Sequence, residues 1–338
     1  MLRLQKAKRR NSMKNKYIFV IVMLVSILIV SVGFTNIYVS HDQPEEDGDF
    51  VVVTSFYPMY IATMNVIGDT EGVTLKNLSE PQTGCLHDFQ LTPADMKLLS
   101  TADVFIINGG GIESFMEEIA AQYPDLIIIE ACDRIELLCE ENAHGDDSHE
   151  HGTDNVHVGE SDEHEGHDHD VNAHAWMSVA NYRKQVANIA NGLREAASNY
   201  AASFLANAGN YDRKLEELQV EQDALLTLTQ KTEAILLHCA YDYVAKDLGL
   251  EVAFCMDLDE ERQVSAGEVA EVLEVIKNHS VKYIFAEALY GTGMCELVQK
   301  EADVEVIYLN PLNRGDYDAD SYLKGMRENL KLIREMMN

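Results

Sequence analysis

The sequence predicts an α/β fold of two (βα)4-like lobes joined by a long helix, leaving one cleft between the lobes. Three observations carry this. Short apolar runs alternate with amphipathic stretches over residues 50–130, and the same alternation returns over 234–336; that is the pattern of parallel strands covered by helices. Residues 178–198 and 201–229, between the two halves, read as two helices with few breakers, the second charged and much longer than average. At 338 residues and 46% hydrophobic content, the chain has room for two domains of ordinary size and is not generally disordered.

The elements follow in order. FVVVTS (50–55) is a strand, and the helix after it stops at Gly68. VTLKNL (73–78) is a second strand. Thr92 caps a helix whose first residue is Pro93. DVFIIN (103–108) ends in Asn108 and three glycines; a tight strand-to-helix turn accounts for them better than a phosphate loop, since no GxxxxGK[ST] is present. A helix over 112–122 and the strand LIIIE (126–130) close the first half. The second half repeats the logic. AILLH (234–238) is a strand and YDYVAKDLG a helix closed at Gly249. EVAFC (251–255) is a strand, and Ser265 with Glu268 forms a capping box opening a helix to about His279. KYIFAE (282–287) and VEVIYL (304–309) are strands around a short helix at 294–301, and 319–336 is the last helix.

Charge and the ends of the chain bound the class of function. Seven Lys and Arg and no acid lie before Tyr17, so the rest holds 19 bases against 57 acids, a net −38. A field of that sign repels nucleic acid and concentrates cations. Residues 17–34 carry no charge, and as a helix they would be about 27 Å long, near the hydrocarbon thickness of a bilayer. The expected layout is a basic cytoplasmic segment at 1–16, a transmembrane anchor or signal segment at 17–34, and an acidic linker at 35–49. The N-terminal lobe follows at 50–177, then a helical region at 178–232 with the linking helix 201–229, and the C-terminal lobe at 233–338. Positive charge inside and acidic chain outside place the protein on the extracytoplasmic face of the membrane. Ser31-Val32-Gly33 is a passable cleavage site, so a cleaved signal stays open beside an uncleaved anchor. The six cysteines contain no CxxC pair; outside the cell some could pair, with Cys255 and Cys295 one candidate bridge, or they could be buried thiols.

Residues 140–170 have no apolar period and hold twelve acids and seven histidines: His144, His149, His151, His157, His164, His167 and His169. Such a tract cannot pack as an ordinary helix or strand. Imidazole and carboxylate are common ligands of divalent metals. The histidines are too regularly interleaved with Asp, Glu and Gly to fix one geometry, so the tract is expected to be a mobile, low-affinity collector or sensor. Four further side chains stand where ligands bind in open parallel sheets, beyond the carboxyl ends of strands. His87 follows the second strand, His174 follows the loop leaving the fourth, His238 ends AILLH and Glu287 ends KYIFAE. Three imidazoles and one carboxylate, two from each lobe, make a closed four-coordinate set of the kind zinc favours.

These segments resemble a known family, the zinc and manganese substrate-binding proteins of ABC importers (cluster A-I). TSFYPMY (54–60) is similar to the family's first strand and turn. TGCLHDFQLTPADMKLLSTADVFIINGGGIESF (83–115) is similar to its first ligand segment, implying His87. NAHAWMS (172–178) implies His174, LLHCAYDYVAKDLGL (236–250) implies His238, VKYIFAE (281–287) implies Glu287, and 310–333 resembles the C-terminal segment. The resemblance implies a rigid linking helix, a metal site between the lobes, and small movements on binding. It implies Zn2+ as the transported ligand, a permease partner and a monomeric, non-enzymatic binding protein. A histidine at 238, where manganese members carry Glu, favours zinc; manganese binding, or a metal buffer or adhesin using the tract, are the alternatives. A zinc hydrolase fits less well, because the set fills all four positions and no HExxH or GxSxG is present. Three departures stand out. Asn172-Ala173 replaces the family's Asp-Pro, removing a carboxylate that would orient His174. Asn310 stands where other members carry Asp. The lipid-attachment cysteine is missing.

Overall fold

The computed structural model describes residues 49–84, 86, 89–139, 171–258 and 264–337. The basic and apolar segments at 1–34, most of the acidic linker, and the histidine tract lie outside the described residues, as do Cys85, His87 and Asp88. Among the described residues no helix is long and apolar enough to cross a membrane. Every strand and helix among the described residues belongs to one compact unit, Phe50–Asn338.

The first sheet is built from β1 (Phe50–Thr54), β2 (Val73–Asn77), β3 (Val104–Ile107) and β4 (Ile127–Glu130), in the order β2-β1-β3-β4. All three pairings are parallel. Helices α1 (Tyr57–Ile67), α2 (Pro93–Leu99) and α3 (Met116–Gln122) connect these strands. The second sheet holds β7 (Glu233–Leu236), β8 (Glu251–Cys255), β9 (Tyr283–Ala286) and β10 (Glu305–Tyr308), in the order β10-β9-β7-β8, again all parallel. Its helices are α7 (Tyr241–Asp247), α8 (Ala266–His279), α9 (Thr292–Glu301) and α10 (Ser321–Met336). Counted within each lobe, both sheets have the same strand order, 2-1-3-4. The order reverses between strands 1 and 3, and the crevice above that point is where open α/β sheets bind ligands.

Local signals set the helix starts. Thr92 and Asp95 form a reciprocal capping box with Pro93 in the first turn. Ser265 and Glu268 form the expected second box. The helix expected over 112–122 begins only at Met116, because the glycines and the buried Glu113 keep the preceding turn open.

Two long helices join the lobes: α4 (Val179–Ala196) and α5 (Ala201–Asp223). The long helix is shorter than the sequence implied: α5 ends at Asp223, and residues to 229 include a separate turn, α6 (Leu226–Thr229). Its buried residues are Phe204, Ala208, Tyr211, Leu215, Leu218 and Gln222, spaced alternately by four and three. That spacing makes one apolar stripe on an otherwise solvated helix. The stripe packs on α1 and α4 of the first half and on α10 of the second. Tyr182 of α4 stacks on Tyr322 of α10 with ring centroids 3.6 Å apart.

Side-chain alternation divides the second lobe into two layers. Ile235, Leu237, Ile284 and Ala286 face one way and pack with Val272 and Ile276 of α8 and Met294, Cys295 and Val298 of α9. Leu236, Phe285 and Ile307 face the other way, into a core continuous with the first lobe. This overturns the candidate bridge between Cys255 and Cys295. Neither is in a disulfide, because Cys255 belongs to the continuous core and Cys295 to the opposite layer.

One element has no counterpart in the sequence reading. β5 (Leu138–Cys139) pairs antiparallel with β6 (Val171–Asn172). The two strands bracket the histidine tract, so its two ends leave the fold side by side.

Candidate metal centre

Parallel pairing of β7 and β9, which sets Leu236 opposite Phe285, carries the chain to the switch point of the second sheet. His238 leaves β7 and Glu287 leaves β9 there. His238 is fully buried and Glu287 is 4% exposed. Glu287 Oε2 lies 3.3 Å from His238 Nδ1, in a geometry that is not a hydrogen bond, and this oxygen accepts none among the described residues. The other oxygen, Oε1, is 3.4 Å from a terminal nitrogen of Arg314.

His174 comes from the first half, at the start of a 3-10 turn (Ala175–Met177) that leads into α4. It is 1% exposed. Its ring stands edge-on to that of His238, centroids 5.2 Å apart, and 5.0 Å from Trp176. The Asn172 amide oxygen lies 3.0 Å from His174 Nδ1 and accepts the His174 backbone N–H at 3.1 Å. An amide oxygen can only accept, so Nδ1 carries a proton and Nε2 is the nitrogen through which the neutral ring would bind a metal. The missing carboxylate at position 172 therefore does not leave His174 without an orienting group; the amide oxygen serves. Asn172 in turn donates to the carbonyl of Cys239 at 2.7 Å and to Asp242 at 3.1 Å.

Cys239 is the residue that sequence reasoning passed over. The His174, His238 and Cys239 ligand atoms lie within 4.8 Å of one another, all buried. Cys239 Sγ is 3.5 Å from His174 Nδ1 and donates to Asp257 Oδ2 at 3.3 Å, while its backbone N–H reaches Asp257 Oδ1 at 3.2 Å. Because the contact is to the protonated ring nitrogen, Cys239 supports His174 from behind. The only sequence signal was its position directly after His238.

The turn after β3 serves the same region. Glu113, buried, accepts from Ser55 Oγ at 2.8 Å, from the Asn108 backbone N–H at 2.7 Å and from the Gly109 N–H at 3.0 Å. Burial pushes this carboxyl up to about 7, against the pull of those hydrogen bonds. The glycine turn thus cradles a carboxylate of its own chain. Gly109 has φ +82, and a Cβ there would lie 2.1 Å from Glu130, so only glycine fits. Asn108 donates to the carbonyl of Ala173, next to His174. Trp176 is a core anchor that also borders the site; its Nε1 donates to the carbonyl of Pro311 at 2.9 Å. Tyr57 donates to the carbonyl of Asp316 at 2.8 Å.

Of the expected ligands, the structure sets His238 against both His174 and Glu287, while the group whose ligand atoms all lie close together is His174, His238 and Cys239, without Glu287; His87 lies outside the described residues. Its neighbour Leu86 is fully buried. Asn310 is used structurally, its oxygen accepting from the Leu312 N–H at 2.8 Å.

Residues 52–336 match the family described as "Zinc-uptake complex component A periplasmic". The chain belongs to this family. It is 27% identical over 320 residues to the zinc-binding protein AdcA of Streptococcus pyogenes serotype M3, an alignment covering 92% of this chain and 61% of that protein. The chain therefore spans about three fifths of the length of the first relatives it matches. It is 23% identical over 317 residues to the manganese-binding lipoprotein MntA of Halalkalibacterium halodurans, covering 92% and 94%. Among solved structures it is similar to the substrate-binding protein FpvC of Pseudomonas aeruginosa in complex with Ni2+, with TM-score 0.68, 25% identity, and coverage of 85% and 98%. The two-lobed α/β architecture expected from the sequence is thus shared with solute-binding proteins of this family.

Proposed function

We propose that the chain is an extracytoplasmic solute-binding protein that captures Zn2+ and delivers it to the permease of an ABC importer. The observation that carries this is buried His238, which meets the His174 ring edge-on on one side and a Glu287 carboxylate oxygen, 3.3 Å away, on the other. Nitrogen-rich four-coordinate sets suit zinc. The proposed ligands are His174 through Nε2, His238, Glu287 through Oε2, and His87. With all four in place no position remains for a catalytic water, which supports a carrier over an enzyme.

A manganese carrier is the second reading, favoured by the similarity to MntA. Oxygen-rich octahedral surroundings suit manganese, and two buried imidazoles make this site poorer in oxygen. The seven tract histidines (His144, His149, His151, His157, His164, His167, His169) act as accessory, low-affinity ligands. The paired ends of the tract at β5 and β6, with Asn172 in β6, support delivery toward His174. Residues 17–34 tether or export the chain, which works as a monomer at the outer face of the membrane.

Titration calorimetry with a competing chelator tests the assignment. Replacing His238→Ala should weaken Zn2+ binding by at least about 100-fold, since it removes an inner ligand from a set of four. Unchanged tight binding removes the site. Affinity should also fall as the solution is acidified, because protons compete for imidazole and carboxylate.

A further inference from the structure

Glu287 has two oxygens with different surroundings. Oε2 faces His238, and Oε1 faces the guanidinium of Arg314 at 3.4 Å. Arg314 is held from several sides. Its Nε donates to Asn313 Oδ1 at 3.1 Å, and its Cζ lies 5.5 Å from the centroid of the Tyr290 ring. Its side chain is 19% exposed. The first lobe leaves it a lane: Gly84 has φ +88, and a Cβ there would stand 2.6 Å from the Arg314 terminal nitrogen. The adjacent Gly315 N–H donates to the carbonyl of Pro81 at 3.1 Å, which fixes the backbone that carries the guanidinium. The arginine is therefore a built part of the site's wall.

We infer that Arg314 determines metal specificity: by holding Oε1 of Glu287, it presents a single carboxylate oxygen to the ion. This rests on the reading of Glu287 as a ligand of a captured divalent cation. One oxygen suits a four-coordinate zinc ion among imidazoles. Manganese needs more oxygen donors in an octahedral shell, and a carboxylate that could swing to offer both oxygens would supply one. A planar guanidinium is suited to this work, since its fork can engage Asn313 and Glu287 together, whereas an ammonium is a point charge on a flexible stem. Arg314 is thus a positioning residue acting through Glu287.

The test measures Zn2+ and Mn2+ affinities side by side, by chelator competition, on the wild type, Arg314→Gln, Arg314→Lys and Glu287→Gln. Circular dichroism confirms folding. In Arg314→Gln the ratio of zinc to manganese affinity should fall by roughly tenfold or more, mainly through tighter Mn2+ binding. Arg314→Lys keeps the charge and loses the fork, so the ratio falls there too, and this variant carries the test if the glutamine variant does not fold. Electron paramagnetic resonance of bound Mn2+ should change between wild type and variant as the carboxylate's mode of binding changes. A ratio unchanged in every folded Arg314 variant, with Zn2+ still bound tightly, overturns the inference. Failure of the underlying reading looks different: the wild type lacks a tight Zn2+ site, or Glu287→Gln leaves Zn2+ affinity unchanged.

Discussion

Asn172 shows how one side chain can decide the chemistry of another. Its oxygen fixes the tautomer of His174, and its amide nitrogen is itself held by Cys239 and Asp242 of the second lobe. Asn172→Ala should leave the histidine in place but free its ring, weakening Zn2+ binding by about 10–100-fold; chelator competition reads this. Asn172→Asp should recover only part of the affinity, since a carboxylate oxygen accepts the same proton but cannot donate to the Cys239 carbonyl and repels Asp242. Glu113 makes a prediction of a different kind. Its folded value of about 7 stands above the usual 4.5. The raised carboxyl contributes stability that is fully present below about 4.5 and is lost as pH rises through 7. The advantage of wild type over Glu113→Gln in urea unfolding should therefore be larger at pH 5 than at pH 8, by about 3 kcal/mol at most. The placement of His238 and Glu287 was legible in the sequence because strand ends in parallel sheets point to a common crevice. The roles of Asn172 and Cys239 were not, because they depend on how β6 packs against the start of α7, and no local pattern encodes that contact.

At the level of elements, the strands and capping boxes could be read from alternation and from Thr92, Pro93, Ser265 and Glu268, since those signals are local. The end of α5 could not. The buried stripe continues at the same spacing past Gln222, through Leu225 and Thr229, so the pattern carries no mark of the break after Asp223. Nor could β5 and β6, which are two residues each and separated in sequence by the whole tract. That small ribbon has a consequence for the tract. Since its ends already meet, removing residues 143–168 should not disturb the lobes. Shortening a loop between fixed ends lowers its closure cost by about 1–2 kcal/mol, so the deleted protein should melt at or slightly above the temperature of the full chain. The same variant separates the tract from the centre. Calorimetry should show the tight zinc site kept and only weak sites lost. Loss of the tight site would mean that the tract itself is the principal ligand.

The whole molecule repeats one strand order in two sheets, yet its two halves are not free to swing apart. The segment carrying His174 belongs to the first half of the chain but is bonded to the second. Asn172 donates to Cys239, Tyr243 donates to the Asn172 carbonyl at 2.7 Å, Trp176 donates to Pro311, and Tyr322 donates to the Trp176 carbonyl at 2.8 Å. The stacked Tyr182 and Tyr322 add a buried aromatic contact between α4 and α10. Opening the cleft by a hinge would break these together, and each buried bond left unmade costs about 1–3 kcal/mol. The sum exceeds what thermal motion supplies, so the His174 segment is held against the second lobe, beside His238. Metal loading should therefore change local order more than overall shape. Small-angle scattering of the tract-deleted protein should give the same radius of gyration, within about 0.5 Å, with and without Zn2+; a compact domain of this length has a radius near 20 Å. Over the same titration the melting temperature should climb with zinc concentration, because binding to the folded state alone stabilises it by RT ln(1 + [L]/Kd). A large contraction on loading would show that the bonds behind His174 break in the metal-free protein, and that the site is assembled by closure.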